Sequence, residues 1–168
     1  MDALGTAAGG AMEPQMWCSP AVLLPLTAVL ALAAPGAAQE PTSALALVGQ
    51  PVLALAGHAA VSGVLRQASG GRRRIVAERL RLPGPPMGVA ADRFVYGWGC
   101  DPRGCREEGL FLAFDTARER IYLLAVEDGA PNLSVPPRTA PWPETLAEPL
   151  HAFHPALAAA LRFAPAEP

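Results

Sequence analysis

Leu110-Phe111-Leu112-Ala113-Phe114 and Ile121-Tyr122-Leu123-Leu124-Ala125-Val126, joined by Asp115-Thr116-Ala117-Arg118-Glu119-Arg120, decide the fold class. Both runs are short, apolar and rich in aromatic or branched side chains, and the connection between them is polar. That pattern predicts two strands in a hairpin. Strands joined this closely pair antiparallel, and such a sheet is expected to bury one face and leave the other in water. Upstream, Arg93-Phe94-Val95-Tyr96-Gly97-Trp98 reads as a strand running into a pair of cysteines. Before it, residues 75–82 (IVAERLRL) alternate towards their end and are read as the first strand. Pro83-Gly84-Pro85-Pro86 between these two is a loop, because proline removes ladder donors.

The period changes further out. Pro51 suits the first turn of a helix, and Val52, Leu55, Ala59 with Leu53, Ala56, Ala60, Val64 recur at helical steps. Ser69-Gly70-Gly71 supplies a stop, so 51–67 is expected to be one helix covering the sheet. Residues 128–143 carry five prolines and little periodicity and read as an extended loop. In 144–163, Leu146, Leu150, Phe153, Leu157 and Leu161 keep helical spacing, but Pro149 and Pro155 break it into short helices. The expected class is α+β: an antiparallel sheet with a helix packed on one face, plus short C-terminal helices.

A chain of 168 residues accommodates about one domain. The net charge is −2 and every basic side chain is an arginine, which gives no electrostatic case for nucleic acid or an anionic membrane surface. The Arg72-Arg73-Arg74 cluster reads as the exposed punctuation of a loop. Residues 20–34 are uncharged and of signal-peptide length, below the roughly 20 residues a membrane span needs. Small residues at Gly36 and Ala38 place cleavage between Ala38 and Gln39, leaving 39–168 as a single exported domain. Asp2 and Glu13 are the only charged side chains ahead of that core; a start at Met12 or Met16 would leave the α-amino group as its positive charge. Two alternatives stay open: an uncleaved anchor, and a second pass over 44–65, where Gln50, His58, Ser62 and three glycines weaken insertion.

Cleavage removes Cys18 and leaves Cys100 and Cys105 in Cys100-Asp101-Pro102-Arg103-Gly104-Cys105. In an oxidising compartment thiols this close should pair. Closing six residues stabilises the fold by only about 2 kcal/mol, so the local effect is the more telling one. Pro102 fixes one φ, Gly104 permits a left-handed turn, and the clamp leaves Asp101 and Arg103 at a stiff tip. Preorganisation of that kind lowers the entropy lost on binding. The competing role is a hairpin staple. A redox site does not fit the spacing, and zinc lacks ligands, since only His151 and His154 supplement the cysteines.

Catalytic equipment is thin. No nucleophile elbow, phosphate loop, zinc-protease motif or dinucleotide fingerprint occurs. His58 falls in an apolar helix and reads as a core or edge histidine. Glu107-Glu108 reads as a solvated turn. Trp98 and Trp142 are the side chains able to stack on sugar, with packing as the ordinary role. Asn132-Leu133-Ser134 matches a glycosylation sequon. Neither an enzyme nor a cofactor-binding or metal-binding protein is expected.

The stretch Phe94-Val95-Tyr96-Gly97-Trp98-Gly99-Cys100-Asp101-Pro102-Arg103-Gly104-Cys105, followed by 110–115 and 121–124, resembles the inhibitor of vertebrate lysozyme (Ivy) family. The resemblance spans 94–126. It implies an exported bacterial protein with a helix-backed antiparallel sheet, whose disulfide-closed loop plugs the active cleft of a c-type lysozyme. Cys100, Pro102 and Cys105 fit the family's C-x-P-H-x-C loop; Arg103 stands where the family usually has His, Gly104 follows it, and Asp101 replaces a usually basic residue. The implied inhibitory residues are therefore Asp101, Pro102, Arg103 and Gly104. The implied partner is a c-type lysozyme or other glycosidase, met in the periplasm or outside the cell, with a homodimer as a further arrangement. No nucleic acid is expected, and no membrane once the signal is cleaved.

Overall fold

The structure is a computed structural model and describes residues 43–165. The expected signal segment and the Ala38–Gln39 bond lie outside the described residues. Three central strands, β2 (Phe94–Cys100), β3 (Gly109–Asp115) and β4 (Arg120–Glu127), fall on the three strongest apolar runs. They pair antiparallel with Leu112 opposite both Gly97 and Leu123. Short β1 (Gly88–Ala90) adds to β2, and β5 (Ala130–Val135) adds to β4, so the five-stranded sheet runs in chain order as a meander. The α+β class is as expected.

The sheet does not keep a wet face. Along β3 and β4, Leu110, Leu112, Phe114, Ile121 and Leu123 point into one apolar cluster, while Phe111, Ala113, Tyr122 and Leu124 point into a second. Every residue of β3 is buried. The C-terminal segment explains this correction: Trp142, Leu146, Leu150, Phe153 and Leu161 cover the second face. They do so from a 3-10 turn (Glu144–Leu146), from α4 (Ala147–Phe153), from the end of α5 (Pro155–Ala160), which Leu161 caps, and from β6 (Trp142–Pro143), which pairs parallel with β7 (Phe163–Ala164). A strand buried on both sides loses its polar alternation, which is why these runs are apolar throughout.

Three helices, not one, cover the first face. The expected helix over 51–67 is two, α1 (Val52–Gly57) and α2 (Ala59–Ser69), because His58 adopts an extended ψ of 139°. The His58 imidazole Nδ1 accepts the Ala60 N–H at 3.3 Å and so caps α2. The expected strand at 75–82 is instead α3 (Arg73–Arg79). Its helical signals are a 3.5 Å Arg74–Glu78 ion pair one turn apart and the buried pair Val76 and Leu80 at the same spacing. The alternation that argued for a strand spans only three residues, Leu80 to Leu82, too few to outweigh helical packing. Arg73 and Arg74 accordingly open a helix, where a loop was expected. The expected loop at 128–143 holds β5, which tolerates Pro131 because it is an edge strand. Among the described residues no helix is long and apolar enough to cross a membrane, and the 44–65 stretch is a 3-10 turn (Ala44–Leu47) followed by α1 and α2.

Candidate functional site

The β2–β3 connection, residues 101–108, projects from one end of the sheet. The Cys100–Cys105 disulfide closes its first half, with 4.6 Å between the two Cα atoms. Beyond the last strand pair, Cys100 with Gly109, the ladder continues one step into the ring, the Asp101 N–H donating to the Glu108 carbonyl at 3.0 Å. Within the ring the Gly104 N–H donates to the Asp101 carbonyl at 2.8 Å, and Gly104 takes a φ of +113°, the left-handed conformation anticipated for it. The Asp101 carboxylate accepts the Arg103 backbone N–H at 3.0 Å, an Asx turn that fixes the tip. Gly99, just below, is obligatory for packing: a Cβ there would stand 2.7 Å from the Arg79 carbonyl oxygen and 2.8 Å from that of Leu82.

Asp101, Pro102, Arg103 and Gly104 lie within the disulfide-closed ring, and the Arg103 guanidinium folds back along the loop. Its Nε donates to Asp101 Oδ1 at 3.0 Å, and its Nη2 lies 3.1 Å from Glu108 Oε1. The Arg103 side chain still keeps 65% of its surface exposed. Glu108 uses its other oxygen, Oε2, to accept from Arg79 Nη1. A row of alternating charge results: Arg79, Glu108, Arg103, Asp101. Glu107 is exposed, yet Glu108 is only 18% exposed and sits at the centre of the row, so the reading of both as a solvated turn is corrected for Glu108. Glu108 and Arg79 were missed because 29 residues separate them and α3 was not foreseen.

The backbone N–H and then the guanidinium of Arg103 hold the Asp101 carboxyl below its usual value of 3.8. Bonding to Asp101 in turn raises Arg103, so its positive charge is permanent at any working pH. The remaining candidates are structural. His154 is buried, and its Nδ1 accepts the Leu157 N–H at 3.2 Å to cap α5. Trp142 is fully buried and cannot stack on a sugar; Trp98 packs between Tyr96 and Phe111, at centroid distances of 6.3 and 6.2 Å. Asn132 lies half-buried in β5 with its amide donating to Glu127. Among the described residues no group of three His, Cys, Asp or Glu side chains is placed to hold a metal ion.

The family model described as inhibitor of vertebrate lysozyme (Ivy) matches residues 60–156, more than half of the 168-residue chain. The chain belongs to the Ivy family. No curated protein and no solved structure matches it. The Ivy match runs from α2 to the first residues of α5, so it takes in the whole five-stranded sheet, the disulfide loop and part of each covering layer. Ivy proteins are inhibitors of lysozyme and not enzymes, in keeping with the absence of a catalytic motif in the sequence.

Proposed function

We propose that this Ivy protein is exported and inhibits a c-type lysozyme, or a related glycosidase, by placing Asp101, Pro102, Arg103 and Gly104 in the acidic cleft of the enzyme. Family membership supports a lysozyme as the partner. The observation that carries the reading is a covalently closed loop at the end of a rigid sheet, bearing a 65% exposed arginine. Retaining glycosidases hold two carboxyl groups about 5 Å apart, and a guanidinium offers that pair a planar, permanently charged fork. Asp101 and Glu108 keep the fork ordered until a target carboxylate pair takes their place, so little conformational entropy is lost on docking. Export follows from the apolar segment at 20–34 with cleavage after Ala38, and N-terminal sequencing of the secreted product checks it.

The same two ion pairs favour a second reading, in which the loop is only a hairpin staple in a non-catalytic periplasmic or envelope protein. Titrating c-type lysozyme activity with the 39–168 protein separates the two. Inhibition is expected, with Arg103→Ala weakening it by about 30-fold and Arg103→His retaining more than the alanine variant. Absence of inhibition supports the staple. Inhibition that Arg103→Ala leaves unchanged removes the loop mechanism while leaving the family assignment intact.

A further inference from the structure

Helices α1, α2 and α3 do not close completely over one another. Between them runs a groove of about 360 Å³, floored by Leu65, Val76 and Leu80 and walled by Leu53, Ala56 and Ala77. Small residues keep it open: a Cβ added to Gly57, on the α1 side, would meet nothing within 4 Å. Leu53 is 48% exposed, and Val64 on α2 is 37% exposed. Ser69 also lines the groove, but its hydroxyl already donates to the Leu65 carbonyl at 2.6 Å. Charge enters only through Arg66 and Arg73, both exposed, and among the described residues no carboxylate joins them in the lining. Arg73 Nε donates to the Arg66 carbonyl at 3.1 Å, which holds that guanidinium beside α2. The neighbouring arginines are engaged elsewhere, Arg72 with the Asn132 carbonyl and Arg74 with Glu78 at 3.5 Å.

We propose that this groove binds a free single-chain amphiphile with an anionic head, of the fatty-acid class. Its alkyl chain lies on Leu65, Val76 and Leu80, and its carboxylate meets Arg66 and Arg73. An apolar concavity of this size with a few convergent polar groups is the usual form of a small-ligand site. Guanidinium groups, planar and weakly hydrated, suit a carboxylate at the edge of apolar surface, where the arginine stems pack and the heads stay in water. An extended peptide would bring backbone amides to apolar walls with no partners for them. The net charge of −2 disfavours an anionic bilayer as the source, and a recessed apolar surface takes up a chain rather than inserting into lipid. No residue of the disulfide loop lines the groove, so it stands whether or not the loop inhibits lysozyme.

The test is an NMR titration of the 39–168 protein with dodecanoate at pH 8, below its micelle concentration, following the amides of Ala56, Leu65 and Ala77. A saturable one-to-one shift is expected. Decanoate, two methylenes shorter, should bind about ten-fold more weakly, and dodecyltrimethylammonium, with the opposite charge on the same chain, at least ten-fold more weakly. Arg66→Ala/Arg73→Ala should weaken dodecanoate about ten-fold, and Ala77→Trp, which fills the groove from an exposed position, should abolish the shift. Unchanged shifts of core amides such as Leu112 and Leu123 verify that the variants fold. A shift that does not saturate, that ignores chain length, that the cationic amphiphile reproduces, or that both variants preserve overturns the site. So do two other occupants: a dimer that dodecanoate dissociates assigns the groove to a second copy, and exchange protection of the same amides by a c-type lysozyme assigns it to that partner.

Discussion

At the scale of single residues, Glu108 is the pivot of the loop. It sits between Arg79 and Arg103; its pair with Arg79 is shielded from water on both sides and is worth more than a surface pair, whereas the pair with the exposed Arg103 is screened. Glu108→Gln removes the charge that holds both guanidiniums and leaves Arg79, whose Nε is already buried without a partner, still less compensated. A loss of about 2 kcal/mol in urea unfolding is expected, together with faster amide exchange at 101–105. Asp115 governs the acid limb of stability. Burial alone would push its carboxyl up, but the Arg93 fork, the N–H groups of Ala117 and Arg118 and the Arg93 charge together hold it below 3.8. A carboxyl lowered in the folded state stabilises fully above its unfolded value and loses that contribution as pH falls through the lowered one. Asp101 shifts the same way. The gap in urea midpoint between wild type and Asp115→Asn should therefore be constant above about pH 5 and shrink on acidification below it.

At the scale of elements, the disulfide and its hairpin divide the labour. Closing six residues contributes about 2 kcal/mol, and the paired Cys100→Ser/Cys105→Ser variant should lose roughly that much in chemical unfolding while keeping the far-ultraviolet spectrum of the sheet. What could be read in the sequence followed the strength of local signals. Strands β2 to β4 were legible because aromatic and branched residues dominate runs of five or six positions, interrupted only by Gly97, Ala113 and Ala125. The ring was legible because Cys100 and Cys105 are the only cysteines beyond the apolar start. Helix α3 was not, since Leu80-Arg81-Leu82 imitates a strand and the i,i+4 pairs that decide the matter become visible only once Val76 and Leu80 are seen buried. Strand β5 was hidden by Pro131, Pro136 and Pro137, residues that an edge strand and its exit accommodate. The Arg79–Glu108 pair depends on α3 lying against the base of the loop, and no local pattern encodes that contact.

At the scale of the whole molecule, a sheet buried on both faces makes the loop a projection from a stiff body. Helices α1–α3 close one side and the α4–α5 layer closes the other, and each reaches the base of the loop. Arg79 does so from α3. Phe153 does so from α4, where it comes so close to Gly109 that a Cβ there would stand 2.9 Å from its ring. Both faces of the sheet are thus occupied by the protein's own elements, and the loop proposed to meet the lysozyme stands at one end of it. Hydrogen exchange on the 39–168 protein, alone and saturated with a c-type lysozyme, tests that assignment most directly. Protection should appear at 101–108 and leave the Asp115–Arg120 turn unchanged. Protection confined to the exposed apolar positions of the helical face, such as Leu53 and Val64, with none across the disulfide ring, would contradict it.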